Sequence, residues 1–193
     1  MIKYILAGGY VHKAQDGGRA FCEELIKGID KKPVKILDCI FARKKEDWQE
    51  CIDRDNIFFS KFIKDFELKL ADPDNFTEQI KNSDVIFFQG GIPYNLISIL
   101  NTAGDWLKEL DEKVLVGTSG GADVICKYYA VGKTGNVGDG LGLLPIKFMP
   151  HWQSDYNGNF NIDWILLKEK LKDYKEDLPI YTLTEGEFKV FVE

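Results

Sequence analysis

Arginine is scarce in this chain of 193 residues: there are three, Arg19, Arg43 and Arg54, set within 31 acidic residues and a net charge of −6. Such a chain offers no basic surface to neutralise phosphates, so nucleic acid and membrane surfaces are not expected partners. Histidine is scarcer still, with two, His12 and His151. The four cysteines, Cys22, Cys39, Cys51 and Cys126, form no C-x-x-C pair. A structural metal site is therefore not expected, and the thiols read as free groups in a reducing, cytoplasmic compartment. No apolar run approaches the roughly 18 residues of a membrane span. The first apolar stretch, Ile2–Ala7, lacks the basic flank and the length of a signal segment. Core material, by contrast, is plentiful: 45% of residues are hydrophobic and 13% aromatic. Disorder is excluded as the main state, and the length fits one domain over residues 1–193.

Apolar runs rich in β-branched and aromatic residues alternate with helical patterns. Strands are expected at Ile2–Ala7, Val34–Phe41, Phe66–Leu70, Val85–Phe88, Lys113–Val116 and Pro145–His151, with Leu178–Leu183 and Phe188–Val192 as a closing pair. Helices are expected over Gly18–Asp30, Ala122–Tyr129 and Asn161–Tyr174, and over Lys44–Phe66 with a break near Asp53–Asn56. A capping box, Asn75-x-x-Glu78, opens a short helix to about Asn82. Pro93 starts another helix running toward Leu110 and breaking at Gly104. Five glycines between Val131 and Leu144 read as a loop with at most short extended pieces. The alternation of buried strands with helices predicts an α/β fold, a doubly wound and mostly parallel sheet with helices on both faces.

The segment Val114-Leu-Val-Gly117-Thr118-Ser119-Gly120-Gly121-Ala122 is G-x-S-x-G between a buried strand and a helix. That is the context of a nucleophile elbow, where a tight turn lifts the serine oxygen above the sheet. The N–H of Gly120, directly after the serine, is one candidate oxyanion donor. A glycine turn that only packs tightly, or holds a phosphate, is the plainer alternative. A serine nucleophile needs a base, and His151, downstream of Ser119, matches the chain order of elbow hydrolases better than His12. Gln89-Gly90-Gly91 ends a buried strand beside a helix start and offers a second set of backbone donors. Gly132-Lys133-Thr134 lacks the earlier glycine of a P-loop, and Asp53-Arg-Asp55 has no EF-hand continuation.

Three blocks together, the Gly90-Gly91 turn, Gly117–Ala122 and Leu141-Gly-Leu-Leu-Pro145 running into Pro150-His151, resemble the peptidase E family, serine peptidase family S51. That family holds aspartyl dipeptidases and cyanophycinases on a class I glutamine amidotransferase-like, flavodoxin-type sheet. The resemblance spans the first strand to Glu187. It implies Ser119 as nucleophile, His151 as base, Gly91 and Gly120 as oxyanion donors, and no cofactor or metal. The implied substrate is a small peptide or related amide, and a homodimer is left open. Three departures stand out. Ser119-Gly120-Gly121-Ala122 replaces the family's S-A-G-A. Thr134 stands where aspartyl dipeptidases carry the triad aspartate. Trp152–Leu171 contains none of the arginines linked to carboxylate recognition.

An acid to orient His151 is then sought elsewhere. Asp139, before the Leu141–Pro145 segment, and Glu185, in Thr184-Glu185-Gly186, are the two candidates; Asp123, on the elbow helix, is expected to face away. Two functions follow: a serine hydrolase using Ser119 and His151, or a binding or regulatory protein with a decayed site on the same fold.

Overall fold

The computed structural model describes residues 1–156, 158 and 160–193. Two sheets carry the chain. The larger has the order β10-β1-β5-β4-β2-β3, formed by β1 (Lys3–Ala7), β2 (Val34–Cys39), β3 (Phe66–Leu70), β4 (Val85–Phe88), β5 (Val114–Thr118) and β10 (Phe188–Val192). Its first five strands in chain order are parallel, and β10 closes the edge antiparallel to β1.

Alternate residues of these strands feed opposite faces, as a two-residue period requires. Ile5, Ile36, Val85, Phe87 and Val116 pack on α1 (Arg19–Ile26) and α2 (Trp48–Ser60). Leu6, Leu37, Ile86, Phe88 and Leu115 pack on α3 (Phe76–Lys81), α4 (Pro93–Leu100) and α5 (Gly120–Ile125). Phe59 of α2 is fully buried and meets Phe87 edge-on at 5.4 Å between centroids. Truncating a ring so placed costs about 3–5 kcal/mol. The fold is the expected α/β arrangement with helices on both faces.

A second sheet, β7-β6-β8-β9, is built from β6 (Cys126–Val131), β7 (Asn136–Asp139), β8 (Leu144–Met149) and β9 (Ile180–Thr182). Here the expectations need correction. The stretch read as a helix to Tyr129 is helical only to Ile125. From Cys126 burial alternates along the chain, and the backbone is extended. The glycine-rich loop contains the strand β7, paired antiparallel to β6. The last two strands do not pair with each other: β9 runs parallel to β8, and β10 joins the other sheet.

Helix α2 is unbroken, because the charges of its middle turn face solvent or polar partners, as in Gln49 donating to Asp53 at 2.9 Å. The Asn75 side chain donates to Asp72 and makes no cap for α3, so the capping box does not form. Helix α4 ends at Leu100, and only a 3-10 turn, Trp106–Glu109, follows Gly104. Helix α6 (Trp164–Lys172) covers the second sheet through Leu167 and Leu171. All four cysteines are buried and free. Among the described residues no helix is long and apolar enough to cross a membrane.

Candidate active site

Ser119 stands at the junction of β5 and α5 with φ 50° and ψ −122°. A non-glycine residue held there costs on the order of 1–3 kcal/mol and persists only where its surroundings fix it. Two close approaches do so. A Cβ on Gly121 would stand 2.1 Å from the Phe88 carbonyl oxygen, and one on Gly120 2.3 Å from that of Gly91. The start of α5 is thus pressed against the turn after β4, where only glycine fits. The Ser119 N–H donates to Ala7 O at 3.0 Å, tying the elbow to β1.

The turn after β4 is held from both sides. Gly90 N–H donates to Thr118 Oγ1 at 3.2 Å, and Ile92 N–H donates to Ala42 O at 2.9 Å. A Cβ on Gly120 would lie 3.2 Å from Gly91 N, so the two backbone groups are neighbours. Among the described residues, no acceptor takes the N–H of Gly91 or Gly120. The first N–H groups of a helix have no intrahelical acceptor, which suits Gly120 to an anion.

His151 follows the end of β8. Its N–H donates to Gly8 O at 2.8 Å, and Trp152 N–H donates to Leu183 O at 3.0 Å, which lays the turn across the end of β1. Gly9, with φ +103°, makes room: a Cβ there would stand 2.3 Å from His151 Cε1. The ring is 7% exposed. Tyr10 meets it edge-on at 5.2 Å between centroids, and Tyr156 lies tilted against it at 5.0 Å.

In that position His151 Nε2 lies 2.9 Å from Ser119 Oγ, and Nδ1 lies 3.2 Å from Glu185 Oε1. Ser154 Oγ donates to the same Glu185 oxygen at 2.7 Å, and Lys13 Nζ pairs with Oε2. Burial lowers the pKa of His151 below its ordinary value, and the Glu185 contact opposes this without reversing it; Lys133 and Lys13 add to the lowering. The imidazole is therefore neutral at neutral pH. For Glu185, burial pushes the pKa up, but the hydrogen bonds from Lys13, Ser154 and His151 outweigh it and leave the carboxyl below its usual range. An ionised acid beside Nδ1–H leaves Nε2 as the acceptor facing the serine hydroxyl.

The other predicted residues are elsewhere. Both carboxylate oxygens of Asp139, on β7, accept from Lys175 Nζ at 2.7 Å. Thr134 lies in the turn between β6 and β7, where Oγ1 accepts from Asn136 N–H at 3.4 Å. Asp123 is buried, and burial raises its pKa well above the ordinary value. His12 touches Tyr10 ring to ring at 5.9 Å. Sequence reasoning missed Lys13, Ser154, Tyr10 and Tyr156. The first two carry no motif, and only the packing of the β1 and β8 loops brings them to Glu185.

The family model of peptidase family S51 matches residues 41–192. The chain belongs to this family. Two solved structures share its fold. A peptidase from an acI-B1 Actinobacterium is 21% identical with a TM-score of 0.72, over 98% of this chain and 82% of that one. A candidate peptidase E from Listeria monocytogenes EGD-e is 14% identical with a TM-score of 0.69, over 99% and 97%. No curated protein matches the sequence. The S51 match takes in Gly91, Ser119, Gly120, His151 and Glu185, while Gly9, Tyr10 and Lys13 precede it.

Proposed function

We propose that this S51 chain is a serine hydrolase that cleaves small peptides or related amides with Ser119, His151 and Glu185. One observation carries the reading: Ser119 Oγ, the His151 ring and the Glu185 carboxylate form a continuous chain of contacts at 2.9 and 3.2 Å. Ser119 Oγ attacks the substrate carbonyl as its proton passes to His151 Nε2. The oxyanion forms against the N–H groups of Gly91 and Gly120; losing one such donor costs about 3 kcal/mol. His151 then gives the proton to the leaving amine. Water attacks the acyl-enzyme and loses a proton to Nε2; the bond from the carbonyl carbon to Ser119 Oγ then breaks, the acid product leaves, and Nε2 returns the proton to Oγ. Glu185 holds Nδ1–H throughout and offsets the charge of the imidazolium.

Specificity extends beyond an N-terminal aspartate, because Trp152–Leu171 supplies no guanidinium for a substrate carboxylate. A fluorophosphonate probe tests the chemistry: wild type is labelled and Ser119→Ala is not. An unlabelled wild type overturns the reading. A panel of Asp-Xaa and neutral dipeptides tests the specificity, and cleavage confined to Asp-Xaa overturns that part.

A further inference from the structure

A second group of buried polar side chains lies directly behind the turn that carries Gly91. Asp38 on β2 is 0% exposed and Gln89, the residue after β4, is 3% exposed. Gln89 Nε2 donates to Asp38 Oδ2 at 3.3 Å and also to Asp55 Oδ2 of α2. Gln89 Oε1 accepts from Arg54 Nη2 at 3.4 Å, and Arg54 Nε lies 3.5 Å from Asp55 Oδ1. Two carboxyl groups therefore converge on one amide nitrogen, and Asp38 Oδ1 accepts from no described residue.

Burying two carboxylates together is costly unless a proton neutralises one. The charged and titratable groups facing the pair are few. Helix α2 contributes Arg54 and Cys51, and the end of β2 with its following loop contributes Cys39 and Arg43. Arg54 is largely exposed, with 58% of its side chain accessible, so its compensation is screened. We propose that Asp38 and Asp55 share one proton and act as positioning residues, gripping Gln89 so that the turn keeps the N–H of Gly91 aimed at the oxyanion that forms on the carbonyl attacked by Ser119. The inference rests on the hydrolase reading for its catalytic consequence, and on geometry alone for its effect on the turn.

The arrangement has a direction. Burial, and then the neighbouring Asp55, raise the pKa of Asp38 well above the ordinary value, so of the two carboxyl groups it keeps its proton the more firmly. Burial also pushes Asp55 up, to about 6, against the lowering by Arg54 and Gln89. Above that pH Asp55 is ionised and is the strong acceptor for Gln89. Below it, Asp55 takes a second proton, the grip on Gln89 weakens and the turn loosens. The acid side of the activity profile then carries two ionisations, His151 and Asp55.

The test compares wild type with Asp55→Asn, Asp38→Asn and, as an exposed control on the same helix, Asp53→Asn. Amide hydrogen exchange over residues 89–92 is read by mass spectrometry at neutral pH, and fluorophosphonate labelling is followed against pH. Asp55→Asn should speed exchange in this turn about tenfold, as loss of one charge-assisted hydrogen bond implies. Asp38→Asn imitates the protonated carboxyl and should leave the exchange as in wild type, as should Asp53→Asn. On the acid side, labelling of wild type should fall in two steps, whereas Asp55→Asn, slower than wild type at neutral pH, should fall in one. Equal exchange in wild type and Asp55→Asn overturns the proposal. So does an Asp38→Asn that speeds exchange in the turn about tenfold over wild type, the pattern of a merely structural pair, and this comparison with wild type remains if Asp55→Asn does not fold. The exchange arm needs no activity. A wild type that takes no probe overturns the hydrolase reading, while exchange still decides this one.

Discussion

The imidazole of His151 and the carboxylate of Glu185, 34 residues apart in the chain, meet at 3.2 Å between Nδ1 and Oε1. Three donors, from His151, Ser154 and Lys13, converge on that one carboxylate. Its neighbour in the sequence argument, Asp139, spends both oxygens on Lys175. In the proposed reaction the β8–α6 region therefore supplies the base, and the turn after β9 the acid.

This separates the two carboxyl groups in an assay. Glu185→Gln replaces an ionised acceptor with an amide and removes the group that fixes the tautomer of His151. Turnover of the best substrate should fall by about 10⁴, as triad logic requires. Asp139→Asn breaks only an exposed ion pair and should leave turnover within about twofold. Comparable losses in both variants would remove Glu185 from its assigned role.

Lys13 provides a test of the electrostatics. Lys13→Met removes a positive charge that lowers the pKa of His151 and a hydrogen bond that lowers that of Glu185. The imidazole pKa should rise. Because the base acts when neutral, activity is lost as pH falls through that pKa. Wild type should keep its labelling rate to below pH about 6.5, the ordinary histidine value. In Lys13→Met the same decline should begin at higher pH. A limb that stays in place, or moves down, contradicts the coupling of Lys13 to the site.

The main sheet was legible in the sequence because its strands carry a clear apolar pattern: Val85–Phe88, a continuous apolar run, and Phe66–Leu70, which alternates apolar with charged residues, appear with their expected ends. The elbow was legible because its chemistry is local, a serine between glycines at a strand-to-helix junction. Cys126–Val131 was misread because it follows α5 without a turn residue; Lys127 and Tyr129 alternate with buried Cys126, Tyr128 and Ala130, a two-residue period hidden at the end of a helical run. The partners of Glu185 were not legible at all. Lys13 lies 172 residues from it, and nothing local distinguishes Glu185 from Asp139, whose surroundings in sequence are just as polar.

Gly120→Ala tests the fit between the two oxyanion segments. The added methyl group would stand 2.3 Å from Gly91 O, a backbone atom with no freedom to swing away. The turn after β4 must shift, which costs about 1–3 kcal/mol of stability as overpacking does. Misplaced donors should also lower the labelling rate by about 10² or more. A variant with wild-type labelling would show that Gly91 and Gly120 need not be this close.

Gly9 and Gly28 form a matched pair that isolates the placement of His151 from backbone strain. Both have positive φ, +103° and +88°, so alanine is strained at either position. The strain should cost each variant about 1 kcal/mol or more, visible as a lowered Tm. Beyond that they differ. A Cβ at Gly28 meets nothing within 4 Å, whereas one at Gly9 stands 2.3 Å from His151 Cε1 and 2.6 Å from Nε2, the atom that faces Ser119. The imidazole must turn away, and a base displaced by about 1 Å costs on the order of 10² in rate. Gly28→Ala should therefore lose stability and keep its labelling rate, while Gly9→Ala loses both. Measuring Tm and fluorophosphonate labelling on the two variants side by side decides the matter. Equal labelling rates would mean that the ring finds its working position without the space Gly9 leaves for it.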